Sequence, residues 1–217
     1  MALHTTDALI LKTYVLGESD RIVVFLTRDR GKKRGVAKNA RQSRRRFGGA
    51  LEPMTCGRVT YRERERRDLV LLHDVAATRS PLTAPVSTDG TALGYVSYFA
   101  ELLDECAPEN DPSETLFRLG VSMVEAMAAA VPTDPLARYF EYWLLRLQGV
   151  YQPDPRASTE AQAFLAAVRS CSPFALGAVP APLKALRELE ERHGAQIAMH
   201  LEKDLKSVRV LREIRGS

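Results

Sequence analysis

The residues of this sequence with the clearest chemical meaning are the cations that crowd the segment from Arg28 to Arg46. This segment carries ten Lys and Arg residues against a single acid, Asp29. A nucleic-acid backbone attracts such a cluster, because cations that displace the condensed counterions of phosphates gain binding free energy. The cluster therefore predicts a surface that tracks phosphates, although a solvated charged loop would have the same composition. The candidate DNA-binding residues in this segment are Arg30, Lys32, Lys33, Arg34, Lys38, Arg41, Arg44, Arg45 and Arg46.

A second basic stretch, residues 62–67, alternates arginines with glutamates. It could extend the phosphate-binding surface from the tip of a hairpin, or it could pair with its own acids in solvent. Arg62 and Arg64 are the candidate DNA-binding residues from this stretch. Phe47 and Tyr61 lie beside the basic stretches, and an exposed aromatic ring there could stack on a base. A place in the hydrophobic core is the alternative for both, and it is the commoner one for a Phe.

Groups that could perform catalysis or hold a metal are sparse. The sequence contains no P-loop, no G-x-S-x-G and no H-E-x-x-H motif. Cys56, Cys106 and Cys171 form no C-x-x-C pair, and the four histidines show no ligand spacing. We therefore expect three free thiols, no metal site, no cofactor and no enzymatic activity.

The elements that would position the cations are short strands within the first ~80 residues. Apolar and β-branched residues recur in five short runs separated by polar turns, which suggests a small barrel and, among such barrels, the OB-fold. The predicted strands are 8–15, 21–27, 33–37, 51–61 and 69–76.

A change of pattern and of charge at Ser80-Pro81 predicts two domains, 1–79 and 80–217. The first carries 18 Lys and Arg against 9 Asp and Glu, and the second carries 13 against 18. Two units of opposite charge suggest different partners, with the polyanion on the first. The predicted fold class is therefore α+β, a five-stranded OB-fold barrel followed by an all-helical domain.

Helical spacing of apolar residues dominates the chain beyond residue 80. Asp111-Pro112-Ser113-Glu114 has the composition of a helix start, and Asp134-Pro135 repeats it before a helix that Gly149 ends. Thr159 and Gln162 suggest a weak capping box. Near the C-terminus, Gly194 is expected to separate two helices, residues 180–193 and 195–205.

The order and spacing of several short motifs resemble the RecO family of recombination mediators. In the N-terminal unit the matching runs are Gly17-Glu18-Ser19-Asp20, Phe25-Leu26-Thr27, Gly31-Lys32, Gly35-Val36-Ala37-Lys38 with Ala40-Arg41, and Gly49-Ala50-Leu51-Glu52-Pro53. In the helical unit they are Glu101-Leu102-Leu103, a helix with Arg138, Phe140, Glu141, Leu144 and Leu147 to Gly149, and Leu205-Lys206-Ser207 with Leu211. The resemblance covers most of the chain and is most specific in residues 1–60.

The resemblance implies a role in DNA repair and recombination after DNA damage. It implies binding to single- and double-stranded DNA and annealing of complementary strands. It also implies partnership with RecR and with single-stranded-DNA-binding protein, so that RecA can load on coated strands. The helix containing Arg138 is expected to bind the acidic C-terminal tail of that protein, because an Arg can pair bidentately with a terminal carboxylate.

The sequence departs from the family after Gly149, where many members carry two C-x-x-C pairs that hold zinc. Only Cys171 remains here, so a shortened, zinc-free member is expected. A cytoplasmic location is also expected, because the first residues lack a basic region before their apolar run. No stretch approaches the ~18 apolar residues of a membrane span.

Two other functions remain open. An RNA-binding OB-fold protein would carry a similar basic surface and would be distinguished by its response to the 2′-hydroxyl. A nuclease would need clustered acids to hold a metal, and the acids of the basic unit are scattered.

Overall fold

Five strands between residues 3 and 79 form a closed barrel. The computed structural model describes residues 2–63, 68–83 and 89–216, with the backbone alone at 44 and 83. Five strands lie within these ranges: β1 (Leu3–Leu16), β2 (Asp20–Thr27), β3 (Lys32–Ala37), β4 (Cys56–Arg62) and β5 (Val70–Arg79). They pair in the order β1-β2-β3-β5-β4, and β4 closes the barrel on β1. The β3–β5 pair is parallel and the others are antiparallel. The predicted OB-fold barrel is confirmed.

Alternation of side chains along the strands creates two separate apolar surfaces. One set fills the barrel, with Ile10, Phe25 and Val59 among its fully buried members. The residues one step along, including Leu9 and Val24, face outward and are also buried, because they pack against the helices.

Helices follow the barrel, as predicted, and one short helix lies between two of its strands. Within the described ranges they are α1 (Arg44–Phe47), α2 (Gly90–Cys106), α3 (Glu114–Ala128), α4 (Thr133–Leu147), α5 (Thr159–Ser170), α6 (Leu183–Leu201) and α7 (Lys206–Arg215). The short helix α1 lies in the β3–β4 connection and was not predicted.

Several predicted helix boundaries are wrong. Ser158, and not Thr159, is the N-cap residue of α5. Helix α3 begins at Glu114 with Ser113 as its N-cap residue, two residues later than an Asp111 cap would place it. Helix α6 runs without a break through Gly194. A glycine costs a helix about 1 kcal/mol, and burial of Leu189, His193 and Ile197 along one face offsets that cost.

The barrel and the helices share one apolar core. Leu9, on the outer face of β1, packs so close to α3 that a Cβ at Gly120 would lie 2.6 Å from its Cδ2 atom. Gly31 adopts a positive φ of 69°, and a Cβ there would collide with the backbone of Asp111. The strands end at Arg79, which agrees with the expected change at Ser80-Pro81. The division into domains 1–79 and 80–217 stays a prediction, because the two units are packed together.

Two motifs that carried the family resemblance meet at the start of α7. The Glu101 carboxylate accepts hydrogen bonds from the Ser207 backbone N–H (2.8 Å), the Ser207 hydroxyl (2.5 Å) and the Lys206 backbone N–H (3.1 Å). Burial alone would raise the pKa of Glu101, but these hydrogen bonds outweigh it and lower the pKa. Glu101 therefore caps a helix more than a hundred residues away in sequence.

Candidate nucleic-acid interface

The predicted basic surface divides into two parts with different surroundings. Lys32 belongs to the first part and is only 7% exposed. Its Nζ atom donates to the Asp104 carbonyl and lies 3.3 Å from the Asp104 carboxylate. Its backbone forms a parallel bridge with Glu109 on the helical unit. The expectation that Lys32 contacts phosphate is therefore corrected: its outward position on β3 faces the helices and not solvent.

Lys33 points to the other side of β3, toward the mouth of the barrel. Its Nζ donates to Glu63 at 2.8 Å, and its side chain is only 10% exposed. The hydrogen bond from Lys33 lowers the pKa of the Glu63 carboxyl. Lys33 is thus neutralised and largely covered, so its predicted place in the interface is also corrected.

Two arginines of the same part are exposed but paired with acids of the helical unit. Arg28 lies 3.3 Å from Glu114, and Arg34 lies 2.9 Å from Glu109. Exposed pairs of this kind exchange with solvent and contribute little to stability. They nevertheless reduce the positive potential available to a polyanion. We call Arg28, Lys32, Lys33 and Arg34 the paired basic segment.

The second part of the predicted surface is unneutralised and largely exposed, with Arg46 half-buried. It comprises Lys38, Arg41, Arg45 and Arg46, in the β3–β4 connection around α1, and we call it the free basic end. Arg41 donates to the Glu18 carbonyl at 3.0 Å, and Arg46 donates to the Lys38 carbonyl at 2.8 Å. Carbonyl acceptors fix these side chains without cancelling their charge. Within the described ranges, no carboxylate forms an ion pair with these four cations.

The remaining predicted cations lie elsewhere. Arg30 is exposed, with its Nε atom 3.8 Å from Asp29, and Arg62 is exposed at the end of β4. The side chain of Arg44 and the whole of Arg64 lie outside the described residues. Among the described residues, the basic surface without ion pairs is therefore smaller than the surface that the sequence predicts. It lies beside the turn between β1 and β2.

The two aromatic residues proposed for stacking belong to the core. Phe47 is 2% exposed and Tyr61 is 0% exposed, and both belong to the interior cluster of the barrel. Burial raises the pKa of Tyr61 to about 12. The Arg46 guanidinium lies 4.9 Å from the centre of the Phe47 ring, so this buried ring supports a basic residue and does not meet solvent.

An aromatic residue that the sequence analysis missed is exposed on the outer face of the barrel. Tyr14 is 44% exposed, and its register partner on β2 is Ile22. The Lys12 ammonium lies 5.1 Å from the centre of its ring. Strand alternation could have indicated this exposure, because Tyr14 lies two residues from Lys12 on β1 and so shares its face.

Arg138, the predicted partner-binding residue, is buried in the helical unit. It is 2% exposed and lies 2.8 Å from Glu141 and 3.3 Å from Glu190. Burial alone would lower its pKa, but these carboxylates raise it. The opposite oxygen of Glu141 lies 3.1 Å from Nδ1 of His193, which is 1% exposed. Arg138 therefore cannot receive an incoming carboxylate, because its charge is used inside the fold.

A groove between α5 and α6 in the helical unit has a volume of about 550 Å³. Leu165 and Leu189 line it with apolar surface, and Arg169 lies exposed beside them. His193 also lines the groove, and its Nε2 atom is buried without a hydrogen-bond partner among the described residues. We call this opening the α5–α6 groove.

The side chains that could bind metal do not converge. Within the described ranges, no three His, Cys, Asp or Glu residues form a group that could hold an ion. All three cysteines are free, and burial raises the pKa of Cys56 and of Cys106 to about 12. None of the described helices is long and apolar enough to span a bilayer.

The chain therefore combines an OB-type barrel that has a basic end with a helical unit of opposite net charge. Residues 1–81 match the family model described as Recombination protein O N terminal, and residues 87–154 match the one described as Recombination protein O C terminal. The chain belongs to the RecO family, which confirms the resemblance in its motifs.

Several curated proteins named DNA repair protein RecO are similar to this chain. The one from Koribacter versatilis (strain Ellin345) is 41% identical over 153 residues, covering 70% of this chain and 61% of the relative. The one from Anaeromyxobacter sp. (strain K) is 39% identical over 141 residues, covering 65% and 55%. The one from Syntrophus aciditrophicus (strain SB) is 34% identical over 152 residues, covering 70% and 58%. The matches thus span a little over half the length of these relatives.

Proposed function

We propose that this chain is a non-catalytic DNA-binding recombination mediator. In this proposal it binds and anneals single-stranded DNA and helps to load RecA on strands coated by single-strand-binding protein. The observation that carries the proposal is the free basic end: four cations without ion-pair partners among the described residues, in a chain whose curated relatives are named DNA repair proteins.

The chemistry of the free basic end suits annealing. Guanidinium and ammonium groups contact phosphates and carry no base information, so the bases stay available for pairing. Two DNA strands repel each other through their phosphates, and a cationic surface that holds both lowers that repulsion. These residues act as fixed charges, and the proposed role requires no proton transfer or covalent step from them.

The central test removes two exposed cations and compares them with two paired ones. Lys38→Gln with Arg45→Gln should weaken single-strand binding about 25-fold at about 0.1 M salt, if each cation neutralises one phosphate. The salt slope of log affinity should flatten by about 1.4. The matched control, Arg28→Gln with Arg34→Gln, removes the same charge and should change affinity much less. Equal losses in the two variants would contradict the location of the site.

Annealing and loading need their own measurements. Complementary strands coated with the cognate single-strand-binding protein should anneal faster with the intact chain and not with the Lys38→Gln, Arg45→Gln variant. RecA filament formation on the same coated strands should follow the same order. An intact chain that binds naked DNA without accelerating either process would reduce the proposal to DNA binding alone.

Competition between single-stranded DNA and RNA for the protein distinguishes the proposal from the alternative, an RNA-binding OB-fold protein. Single-stranded DNA and RNA of equal length and sequence should bind with similar affinity if phosphates dominate. A strong preference for RNA would indicate readout of the 2′-hydroxyl and would favour the alternative.

We also propose that the helical unit binds the acidic C-terminal tail of single-strand-binding protein, in the α5–α6 groove and not at Arg138. Arg169 could meet the carboxylates of the tail, and Leu165 and Leu189 could receive apolar side chains. Arg169→Glu should weaken binding of a synthetic tail peptide. Arg118→Glu, the same charge reversal at an exposed site on α3, should leave peptide binding unchanged. RecR, the other expected partner, also remains a proposal from the resemblance.

A further inference from the structure

The outer face of β1 and β2 has one end that the helices leave open. Farther along this face Val24 and Leu26 are buried against the helical unit. At the open end Tyr14 and Leu16 are 44% and 39% exposed on this face, and Val15, which lies between them and points to the opposite face, is 66% exposed. Exposed apolar residues that lie together on one face more often mark a binding site than single exposed residues do.

The register places this open end within a strip of three strands. Tyr14 pairs with Ile22 on β2, and Ile22 pairs with Val36 on β3, so the three side chains share one face. Ile22 and Val36 are half-buried. They form an apolar floor across the strands, and the Tyr14 ring stands at its edge.

Cations flank the strip on both sides. The Lys12 ammonium lies over the Tyr14 ring, and a hydrogen bond with Tyr14 is the main cause that raises the pKa of Lys12. Lys38, of the free basic end, follows β3 directly after the strip. The acids nearest in sequence are Glu18, in the β1–β2 turn, and Asp20, at the start of β2, which accepts a hydrogen bond from the Asn39 backbone N–H at 2.8 Å. The more distant Asp104 and Glu101 carboxylates also contribute to the raised pKa of Lys12.

We propose that Tyr14 is a stacking platform for an unpaired base of a single strand whose phosphates lie on Lys12 and Lys38. The occupant follows from the combination of groups: an aromatic ring on an apolar floor accepts the face of a base, and the flanking cations match the adjacent phosphates. A paired base inside a duplex cannot present its face, so this contact discriminates single strands from duplexes. The inference rests on the proposed function and adds to it a residue that recognises bases.

The test compares Tyr14→Ala with Tyr14→Phe on three probes of equal length: a thymidine strand, an abasic strand and a duplex. Tyr14→Ala should weaken thymidine-strand binding by about 5- to 150-fold, the range measured for loss of one stacked base. Binding of the abasic strand and of the duplex should stay unchanged. Tyr14→Phe keeps the ring and should keep thymidine-strand affinity within about twofold.

Each other outcome is informative. Equal weakening of all three probes by Tyr14→Ala, or no weakening of any, would overturn the stacking platform. A second copy of the chain seated on the strip would show as a dimer that Tyr14→Ala dissociates, with base discrimination unaffected, and this would overturn it too. Failure of the proposed function is distinguishable, because the intact chain would then bind none of the three probes. Thermal unfolding of Tyr14→Phe and Tyr14→Ala checks that both variants fold.

Discussion

The paired basic segment and the free basic end are neighbours in sequence and have the same chemistry, yet the fold places them in different environments. In the first, Lys32 is buried against Asp104, and Arg34 lies beside Glu109. In the second, Arg41 and Arg46 are held by backbone carbonyls and keep their charge. What separates them is the helical unit, whose acids reach β3 and the turn before it but not the connection after it.

The number of cations in a segment therefore does not measure the affinity of that segment for a polyanion. Part of the cationic segment holds the barrel on an acidic partner within the same chain. The net positive charge of the barrel is therefore only partly available to DNA.

The largest effect is expected at Lys32. Lys32→Met leaves the Asp104 carboxylate buried without its cation, which typically costs about 3–5 kcal/mol of unfolding free energy. Urea denaturation measures the loss. The double variant Lys32→Met, Asp104→Leu removes both charges and should recover much of the stability. A single variant within about 0.5 kcal/mol of the intact chain would mean that the pair is not a structural link.

The next effect concerns the acids that neutralise the exposed arginines. Glu109→Gln with Glu114→Gln frees Arg34 and Arg28, so single-strand affinity should rise about 5- to 25-fold and the salt slope should steepen by up to about 1.4. Fluorescence anisotropy over a salt series measures both quantities. Glu160→Gln with Glu191→Gln, two exposed acids of the helical unit, is the matched control. No change in the first variant would show that distance, and not pairing, keeps these arginines from DNA.

The same exposed pairs should contribute little to folding. Arg28→Gln and Arg34→Gln should each lower the unfolding free energy by about 0–1 kcal/mol, because solvent screens both pairs. Chemical denaturation of each single variant beside Lys32→Met provides the comparison. A loss near that of Lys32→Met would place all three contacts in one cooperative network.

The smallest effect concerns Glu63 and pH. Lys33 lowers the pKa of Glu63, so the stability from this pair is present above the ordinary carboxyl range near ~4.3 and is lost as pH falls through the lowered pKa. The carboxylate is partly exposed, which keeps the contribution below about 1 kcal/mol. Lys33→Gln should raise the pKa of Glu63 toward its ordinary value in an NMR titration of the side-chain carboxyl. An unchanged titration would assign the lowering to other groups.

The barrel was predictable because its strands alternate and its turns use the residues that turns require. The burial of Lys32 was not, because its partner Asp104 lies 72 residues away and no local pattern marks the pair. Arg138 was misassigned for the same reason: Glu141 is three residues away, but Glu190 reaches it only through the packing of α6 on α4. Gly194 shows the opposite error, since a local helix-breaking preference was outweighed by long-range burial.

Because the barrel shares its core with the helices, we do not expect it to be stable as an isolated domain. Leu9 and Val24 lie on its outside yet are buried only because α2 and α3 cover them. Without the helices, the barrel would expose this apolar surface to water, and the exposed surface would favour self-association. Within the intact chain the same residues pack the barrel against the helices. A DNA strand bound at the free basic end and a peptide bound in the α5–α6 groove would therefore lie at a fixed distance from each other.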